Sequence, residues 1–371
     1  MFSMRRRIGL ILSILFGLGL LSGILINIGW NRVEPGPLAH MARFWAGVGV
    51  IVGQIEMLGL WGFLSLTGIV VLTLVCWSSS WWIILRAYRI HVGWWATWRA
   101  RLSGFAITYL TPSMYVGGEP ASVYLIVREQ QSDAPATRVV ATILVSKLLE
   151  GLCLLAFIYL GVYYALATKL LPLDDTGAIV TGMVLFAIFL ALIAINFVGR
   201  RLWGARFLGW LKRVLPWKRA LEVAESKMRE VEEDVFIAFR EHRWATLLAF
   251  VLNLAATFFV YVRPQIFFVF ALKAFFPLAH LSMVYTLFIF LGALFWITPG
   301  GMGTFEAGTW GIFSLFTLVT LADRTPIAIL QESAVAFALT LKTIEFPLVG
   351  LGLFYLIRVG FLKIPKPPLR R

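Results

Sequence analysis

The chain has 371 residues, 60% of them hydrophobic and only 14% charged, where an ordinary soluble domain carries about 25% charged residues. Its mean hydropathy of +0.85 and the recurrence of apolar runs of 18 or more residues exclude a soluble globular fold and point to membrane-spanning helices. The formal net charge of +14 gathers at the ends of apolar segments, which fits membrane orientation and excludes nucleic acid as a partner.

Taken in order, Arg5, Arg6 and Arg7 precede an apolar run, Ile8–Trp30, which reads as a retained first helix because no small-residue cleavage site follows it. Pro35 and Pro37 break the chain. Leu38 to Leu60 is a less apolar amphipathic segment with Arg43, Gln54 and Glu56, expected at the interface or oblique to the bundle. Helix two is expected over about 61–85, closed by Arg86 and Arg89. Trp94, Trp95 and Trp98 then precede Arg99 and Arg101, as at a membrane surface. The apolar piece Leu102–Leu110 is too short to cross. It runs into Thr111-Pro112 and Gly117-Gly118-Glu119, a pattern that predicts a re-entrant hairpin.

Helix three is expected over about 139–166 and helix four over about 178–198. Segment 199–243 has eleven Lys or Arg and seven Asp or Glu, with Trp203, Phe207 and Trp210 interleaved. It reads as an amphipathic cytoplasmic element on an anionic membrane surface, its acidic part Glu222–Asp234 facing water. Helix five is expected over about 244–262, interrupted by Arg263-Pro264, and helix six over about 279–297. A second break, Thr298-Pro299-Gly300-Gly301-Met302-Gly303-Thr304-Phe305-Glu306, precedes helix seven, which ends near 321. A last helix covers about 327–357. The expectation is an all-α, polytopic integral membrane bundle of about eight transmembrane helices with re-entrant Gly/Pro-broken elements, in one domain over 1–371. The basic collar at 86–101, the 199–243 segment and the basic tail share a side, which places both termini in the cytoplasm of a cell whose inner membrane holds the protein.

The two breaks echo each other with unequal spacing: Thr111/Pro112, Gly117/Gly118 and Glu119 against Thr298/Pro299, Gly300/Gly301, Gly303 and Glu306. Proline ends a helix and glycine permits positive φ. Freed N–H groups at the next helix start are able to bind an anion such as a phosphate. The plain alternative is a tight bend at the membrane surface, which leaves Glu119 and Glu306 unexplained. Ionisable residues inside apolar helices are costly and mark function by default. Lys147 and Glu150, three apart on helix three, share a face, and Lys342 and Glu345 repeat that spacing on the last helix. Each is either a neutral packing pair or part of a cavity that holds a lipid phosphate. Arg263 and Lys273 lie near an expected helix end and rank lower, as snorkelling residues. Asn196 and Asn253 read as interhelical glue. Cys76 and Cys153 read as small buried apolar residues without a disulfide. The four histidines, His40, His91, His242 and His280, have no metal-ligand spacing, and no nucleotide-binding or hydrolase motif occurs, so no cofactor is expected.

On these residues the chain resembles the flippase-like membrane family typified by the transmembrane region of lysylphosphatidylglycerol synthase. The matching pieces are Pro112, Gly117-Gly118-Glu119, Lys147-x-x-Glu150, Pro299-Gly300-Gly301-Met302-Gly303-x-x-Glu306 and Lys342 with Pro347 and Gly350, over roughly 5–358. The resemblance implies a helix bundle with re-entrant segments and lipid-accessible cavities, in which Glu119, Lys147, Glu150, Glu306, Lys342 and Glu345 contact substrate. Lysine stands at 147 and 342 where an arginine is expected in many relatives, which weakens bidentate phosphate recognition. The family's soluble aminoacyl-transfer domain is not in this sequence, so synthesis of aminoacyl lipids is not expected of it. The function implied is translocation of a lipid with an anionic headgroup: a modified phospholipid, a glycolipid or a polyprenyl-phosphate species. A membrane-embedded lipid-phosphate transferase and a scaffold for a lipid-modifying enzyme stand as alternatives. A cavity open to both leaflets favours transport, and a one-sided cavity with paired carboxylates favours the enzyme. Membrane lipids are the partners, with room for a lipid-modifying enzyme or a second copy of the chain.

Overall fold

The computed structural model describes residues 2–111, 117–130, 134–168, 202–214, 218–295, 298–315 and 327–358, with Thr181 and Ile188 helical. Among these residues the protein is entirely helical. The elements are α1 (Phe2–Ile28), α2 (Ala39–Ala87), α3 (Trp94–Leu110), α4 (Glu119–Glu129), α5 (Ala136–Ala167), α6 (Trp203–Val214), α7 (Lys218–Arg240), α8 (Arg243–Leu272), α9 (Leu278–Phe295), α10 (Thr304–Leu315) and α11 (Ile327–Arg358). Five of them, α1, α2, α5, α8 and α11, are long and apolar enough to cross a membrane, so the chain is a polytopic membrane helix bundle.

Among the described residues that is five candidate spans where eight were expected. The sequence 178–198 lies outside the described residues except for Thr181 and Ile188. The stretches read as helices six and seven are, as far as the described residues go, the two arms of a hairpin, α9 and α10. Arg263-Pro264 does not interrupt its helix either: α8 runs on through Pro264 to Leu272 and stops at Lys273, whose left-handed backbone closes it. Proline removes one N–H but leaves the rest of the ladder, and tight packing on α2 holds the helix together across the gap.

The two long partners α2 and α8 run antiparallel. Gly62 lets Phe270 approach at one end. Near the other, the Ser80 hydroxyl donates to the Ala249 carbonyl (3.1 Å) and the Asn253 amide donates to Ser80 (2.6 Å). Asn253 is therefore interhelical glue, as the sequence indicated. Cys153 is buried, Cys76 half-buried, and both are free. Gly59, with φ 65° and ψ 173°, breaks α2 into an amphipathic front part and a spanning part. The front part crosses the end of α1, where Gly29 and Gly47 leave room for the backbone carbonyls of Arg43 and Leu25. Arg43 stacks 3.8 Å over Trp30 there.

These contacts define two ends. At the basic end, Tyr88 donates to the Asp234 carbonyl, Arg138 pairs with Asp234 at 3.7 Å, and Leu356 joins the cluster around Val231 and Val235. At the opposite end, Arg32 pairs with Glu332 at 2.9 Å and Ser333 donates to Gln54 at 2.8 Å.

Helices α6 and α7 form an amphipathic pair at the basic end. Trp203, Phe207 and Trp210 are exposed, as an interfacial helix requires. The acidic stretch is only partly turned to water, because Val231, Val235 and Ala238 bury against the bundle and carry Glu232 and Asp234 inward. Burial raises the Asp234 carboxyl above the ordinary aspartate value, with Arg138 pulling the other way. The Glu232 carboxylate accepts the Gly204 and Ala205 N–H groups at 2.8 and 3.0 Å, so it neutralises the free amides at the start of α6. Glu232→Ala is expected to cost about 1–2 kcal/mol, seen as lost hydrogen-exchange protection over 203–214 with α8 unaffected.

Two helical hairpins complete the fold. In the first, α4 folds back on α3: the Ser122 hydroxyl donates to the Ala100 carbonyl at 2.8 Å. Gly118 sits so close to the Gly104 carbonyl that any Cβ would overlap it. In the second, α10 folds back on α9, with Phe288 stacked on Phe305 (5.7 Å) and Gly308 against Leu291. Helix α3 begins shortly after Tyr88, which bonds α7, and so starts at the basic end. Helix α9 begins after Lys273, at the opposite end. The tips therefore approach each other from opposite ends, and the Tyr109 ring lies against Gly300.

Candidate functional site

Between the hairpins lies a cavity of about 490 Å³. Helices α2, α3, α5, α8, α9, α10 and α11 all contribute to its wall. Most of the lining is apolar and aromatic, including Trp77, Phe105, Tyr285, Phe288 and Phe337. The charged part is Lys147, Glu150, Arg263, Lys342 and Glu345.

The first hairpin places one cluster. Glu119 opens α4, and its carboxylate accepts the Gly117 N–H at 3.2 Å. The next amide, of Gly118, is taken by the Thr108 hydroxyl at 3.0 Å. Lys147 on α5 reaches Glu119 at 3.3 Å and Glu150 at 3.2 Å, so the shared helix face read from their spacing does bring this pair together. Arg101 from α3 binds the same Glu150 oxygen at 2.7 Å and lies over Trp77 at 5.9 Å.

The second hairpin places the other cluster. Gly300, Gly301 and Gly303 all have positive φ (64°, 60° and 78°), which L side chains avoid. The turn they make aims the Gly303 N–H at the Glu306 carboxylate, 2.7 Å away, and the Gly301 carbonyl at the Lys342 ammonium, 3.0 Å away. Lys342 and Glu306 are 2.6 Å apart, and Glu306 is fully buried. The spacing of Lys342 and Glu345 suggested a second pair like that on α5. Instead Lys342 is drawn to Glu306 and the tip carbonyl, and Glu345 faces Arg263 at 3.7 Å. Arg263 also donates to the Thr73 hydroxyl at 3.1 Å.

Four of the six charged residues singled out from sequence, Lys147, Glu150, Lys342 and Glu345, line the cavity, and Glu119 and Glu306 pair with its two lysines. The glycines at 117, 118, 300, 301 and 303 and Pro299 form the tips; Pro112 lies outside the described residues. Of the described tip amides expected to await an anion, those of Gly117 and Gly303 are already occupied, by Glu119 and Glu306. Two cations were missed. Arg101 read as interfacial because three tryptophans precede it, and Arg263 read as snorkelling because Pro264 follows it. For Arg263 the signal was the one used for the lysines, apolar sequence on both sides; Arg101, with Arg86, Arg89, His91 and Arg99 before it, carried no such signal. Among the described residues no three His, Cys, Asp or Glu side chains gather to hold a metal ion.

The five charged side chains of the cavity wall therefore all form ion pairs, within 3.7 Å, with one another or with Arg101, Glu119 and Glu306. Charges buried in a low-dielectric bundle persist only when paired, and such pairing in a cavity wall leaves room for a charged ligand to exchange with one partner. No curated protein and no solved structure matches the chain. The model of the lysylphosphatidylglycerol synthase TM region matches residues 10–352, and the chain belongs to that family.

Proposed function

We propose that the protein moves a lipid with an anionic headgroup across the membrane. The observation that carries this reading is the mixed wall of the cavity: two clusters of charge at the meeting point of two hairpins, set among apolar and aromatic side chains. A headgroup phosphate has cations to meet at Lys147 and Lys342, while acyl tails stay against Phe105, Phe288 and Phe337 or in the surrounding lipid. Discontinuous helices around a central site are the usual construction of membrane transporters.

In this reading the two hairpins are re-entrant, one from each side of the membrane. Helix α1 starts and α11 ends on the side of α6 and α7, and the basic residues there make it the cytoplasmic side of the inner membrane. The substrate is a modified phospholipid, a glycolipid or a polyprenyl-phosphate species. Energy comes from a gradient, a partner enzyme or consumption of the product.

The test is leaflet-resolved movement of headgroup-labelled lipids in proteoliposomes. One lipid class should move, and Glu119→Gln and Glu306→Gln should each slow it by about 100-fold, the effect of losing about 2.7 kcal/mol. Folded protein that moves no lipid under an imposed gradient, or variants that transport at the parent rate, would refute the reading.

A further inference from the structure

The charged side chains in and behind the cavity wall cancel. Among the described residues, Arg101, Lys147, Arg263 and Lys342 stand against Glu119, Glu150, Glu306 and Glu345, every one of them in an ion pair. A lipid phosphate that enters adds a negative charge to a set already balanced. An unbalanced charge in a low-dielectric bundle is costly, and a carboxylate in such a place avoids the cost by taking a proton.

The four carboxylates are not held equally. Glu150 has Arg101 at 2.7 Å and Lys147 at 3.2 Å. Glu306 has Lys342 at 2.6 Å and the Gly303 N–H at 2.7 Å. Glu119 has Lys147 at 3.3 Å and the Gly117 N–H at 3.2 Å. Glu345 makes the longest of these pairs, 3.7 Å to Arg263, beyond hydrogen-bond reach. Lys342 is one turn away on the same helix, but it is turned to Glu306 and the Gly301 carbonyl. From α3 the Tyr109 hydroxyl faces Glu345, and Tyr285 of α9 lines the same cavity. Arg263 has a second anchor in the Thr73 hydroxyl, 3.1 Å away, so its guanidinium keeps its place when Glu345 lets go. Both Arg263 and Glu345 are in the cavity wall, within reach of what enters it.

We propose that the protein takes up its lipid together with a proton, and that Glu345 is the proton's site. The headgroup phosphate engages the Arg263 guanidinium, whose planar fork suits it. Glu345 thereby loses its counter-ion, and a proton from water bonds to one of its carboxylate oxygens. One negative and one positive charge enter together, so the wall stays neutral. The new O–H has an acceptor in the Tyr109 hydroxyl that faces it. The loaded protein carries no added charge, so lipid follows a pH difference from the acid side and is indifferent to voltage. That the ligand is a lipid phosphate rests on the translocation reading above, whereas the choice of Glu345 rests on the charge balance and the geometry.

Proton uptake on lipid binding tests it, with the full-length protein in detergent, a weak buffer and a pH-indicator dye. Short-chain phosphatidylglycerol is the anionic probe, and a galactolipid without phosphate is the neutral one. Phosphatidylglycerol should draw about one proton per lipid bound at neutral pH, and its affinity should fall by up to about tenfold for each pH unit above that. The galactolipid should draw none. Glu345→Gln should bind phosphatidylglycerol with no uptake and with an affinity independent of pH. Glu345→Asp keeps the charge and should keep the uptake, and it carries the test if the glutamine variant does not fold. Infrared difference spectra should show a protonated carboxyl band on adding phosphatidylglycerol, shifted in Glu345→Asp and absent in Glu345→Gln.

Phosphatidylglycerol that binds without a proton, at an affinity flat in pH, would overturn the proposal and leave the translocation reading untouched. Uptake that persists in Glu345→Gln would overturn it as well, since the proton would then sit elsewhere. Folded protein that binds neither lipid would overturn it together with the reading of the cavity as a headgroup site. Should proton and lipid bind together while no lipid crosses in vesicles, the shared uptake stands and the translocation reading falls.

Discussion

Lys342→Met is expected to destabilise the protein by about 3–5 kcal/mol, while Lys342→Met combined with Glu306→Gln recovers most of that loss. Glu306 is fully buried and 2.6 Å from the ammonium, and its other oxygen takes the Gly303 N–H. Removing the ammonium leaves a buried carboxylate whose partner among the described residues is a backbone amide, next to the apolar side chains Phe288, Phe305 and Phe337 that line the cavity beside Lys342. A glutamine in its place keeps the amide hydrogen bond and carries no charge, so the pair of changes exchanges an ion pair for neutral packing. Lys147→Met provides the comparison. Its partners Glu119 and Glu150 are 25% and 23% exposed, and Arg101 still serves Glu150, so a cost nearer about 1 kcal/mol is expected. Thermal unfolding in detergent, followed by tryptophan fluorescence, ranks the three variants. Equal losses at 147 and 342, or a double variant no more stable than Lys342→Met alone, would mean that Glu306 is not held as an anion by Lys342.

How much of this was legible in the sequence follows from which interactions are local. Charge inside apolar helices is a local signal, and it selected Lys147, Glu150, Lys342 and Glu345. Gly-Gly next to Pro and Glu is equally local, and it located both hairpin tips. What sequence did not show is set by partners far along the chain. Lys342 has Glu345 one turn away yet binds Glu306, because the positive-φ turn at Gly300 and Gly301 delivers a carbonyl and a carboxylate to it together. Arg263 sits beside a proline, which locally means a helix end. Packing of α8 along α2 overrides that and places the guanidinium in mid-helix, facing Glu345. Glu232 lies in an acidic run that locally means solvent, yet it caps a helix by accepting the N–H of Gly204, 28 residues earlier. The inversion of the two hairpins depends on where each starts relative to the whole bundle, and no window of sequence contains that.

Gly303→Ala is expected to be the most damaging single-methyl change in the chain, costing about 2–5 kcal/mol. Two independent costs act at this residue. Its φ of 78° is a left-handed conformation that charges an L side chain about 1–2 kcal/mol. Its Cβ would also overlap the Gly17 carbonyl oxygen of α1, and forcing atoms into a closed contact costs about 1–3 kcal/mol more. Neither backbone is free to yield. Gly17 in turn has the Met302 carbonyl where its own Cβ would stand, so α1 and the second tip touch glycine to glycine. Shifting the tip also moves the Gly303 N–H off Glu306. Gly311→Ala is the matched control, because a Cβ there meets open space inside a helix that alanine favours by up to about 1 kcal/mol. The expected order of melting temperatures is Gly311→Ala at or above the parent and Gly303→Ala well below it. Gly17→Ala falls between them, since it meets the same crowding without the φ penalty. A Gly303→Ala protein that melts with the parent would mean that α1 does not clamp the second hairpin tip, and the fixed support against which Lys342 and Glu306 are locked would be lost with it.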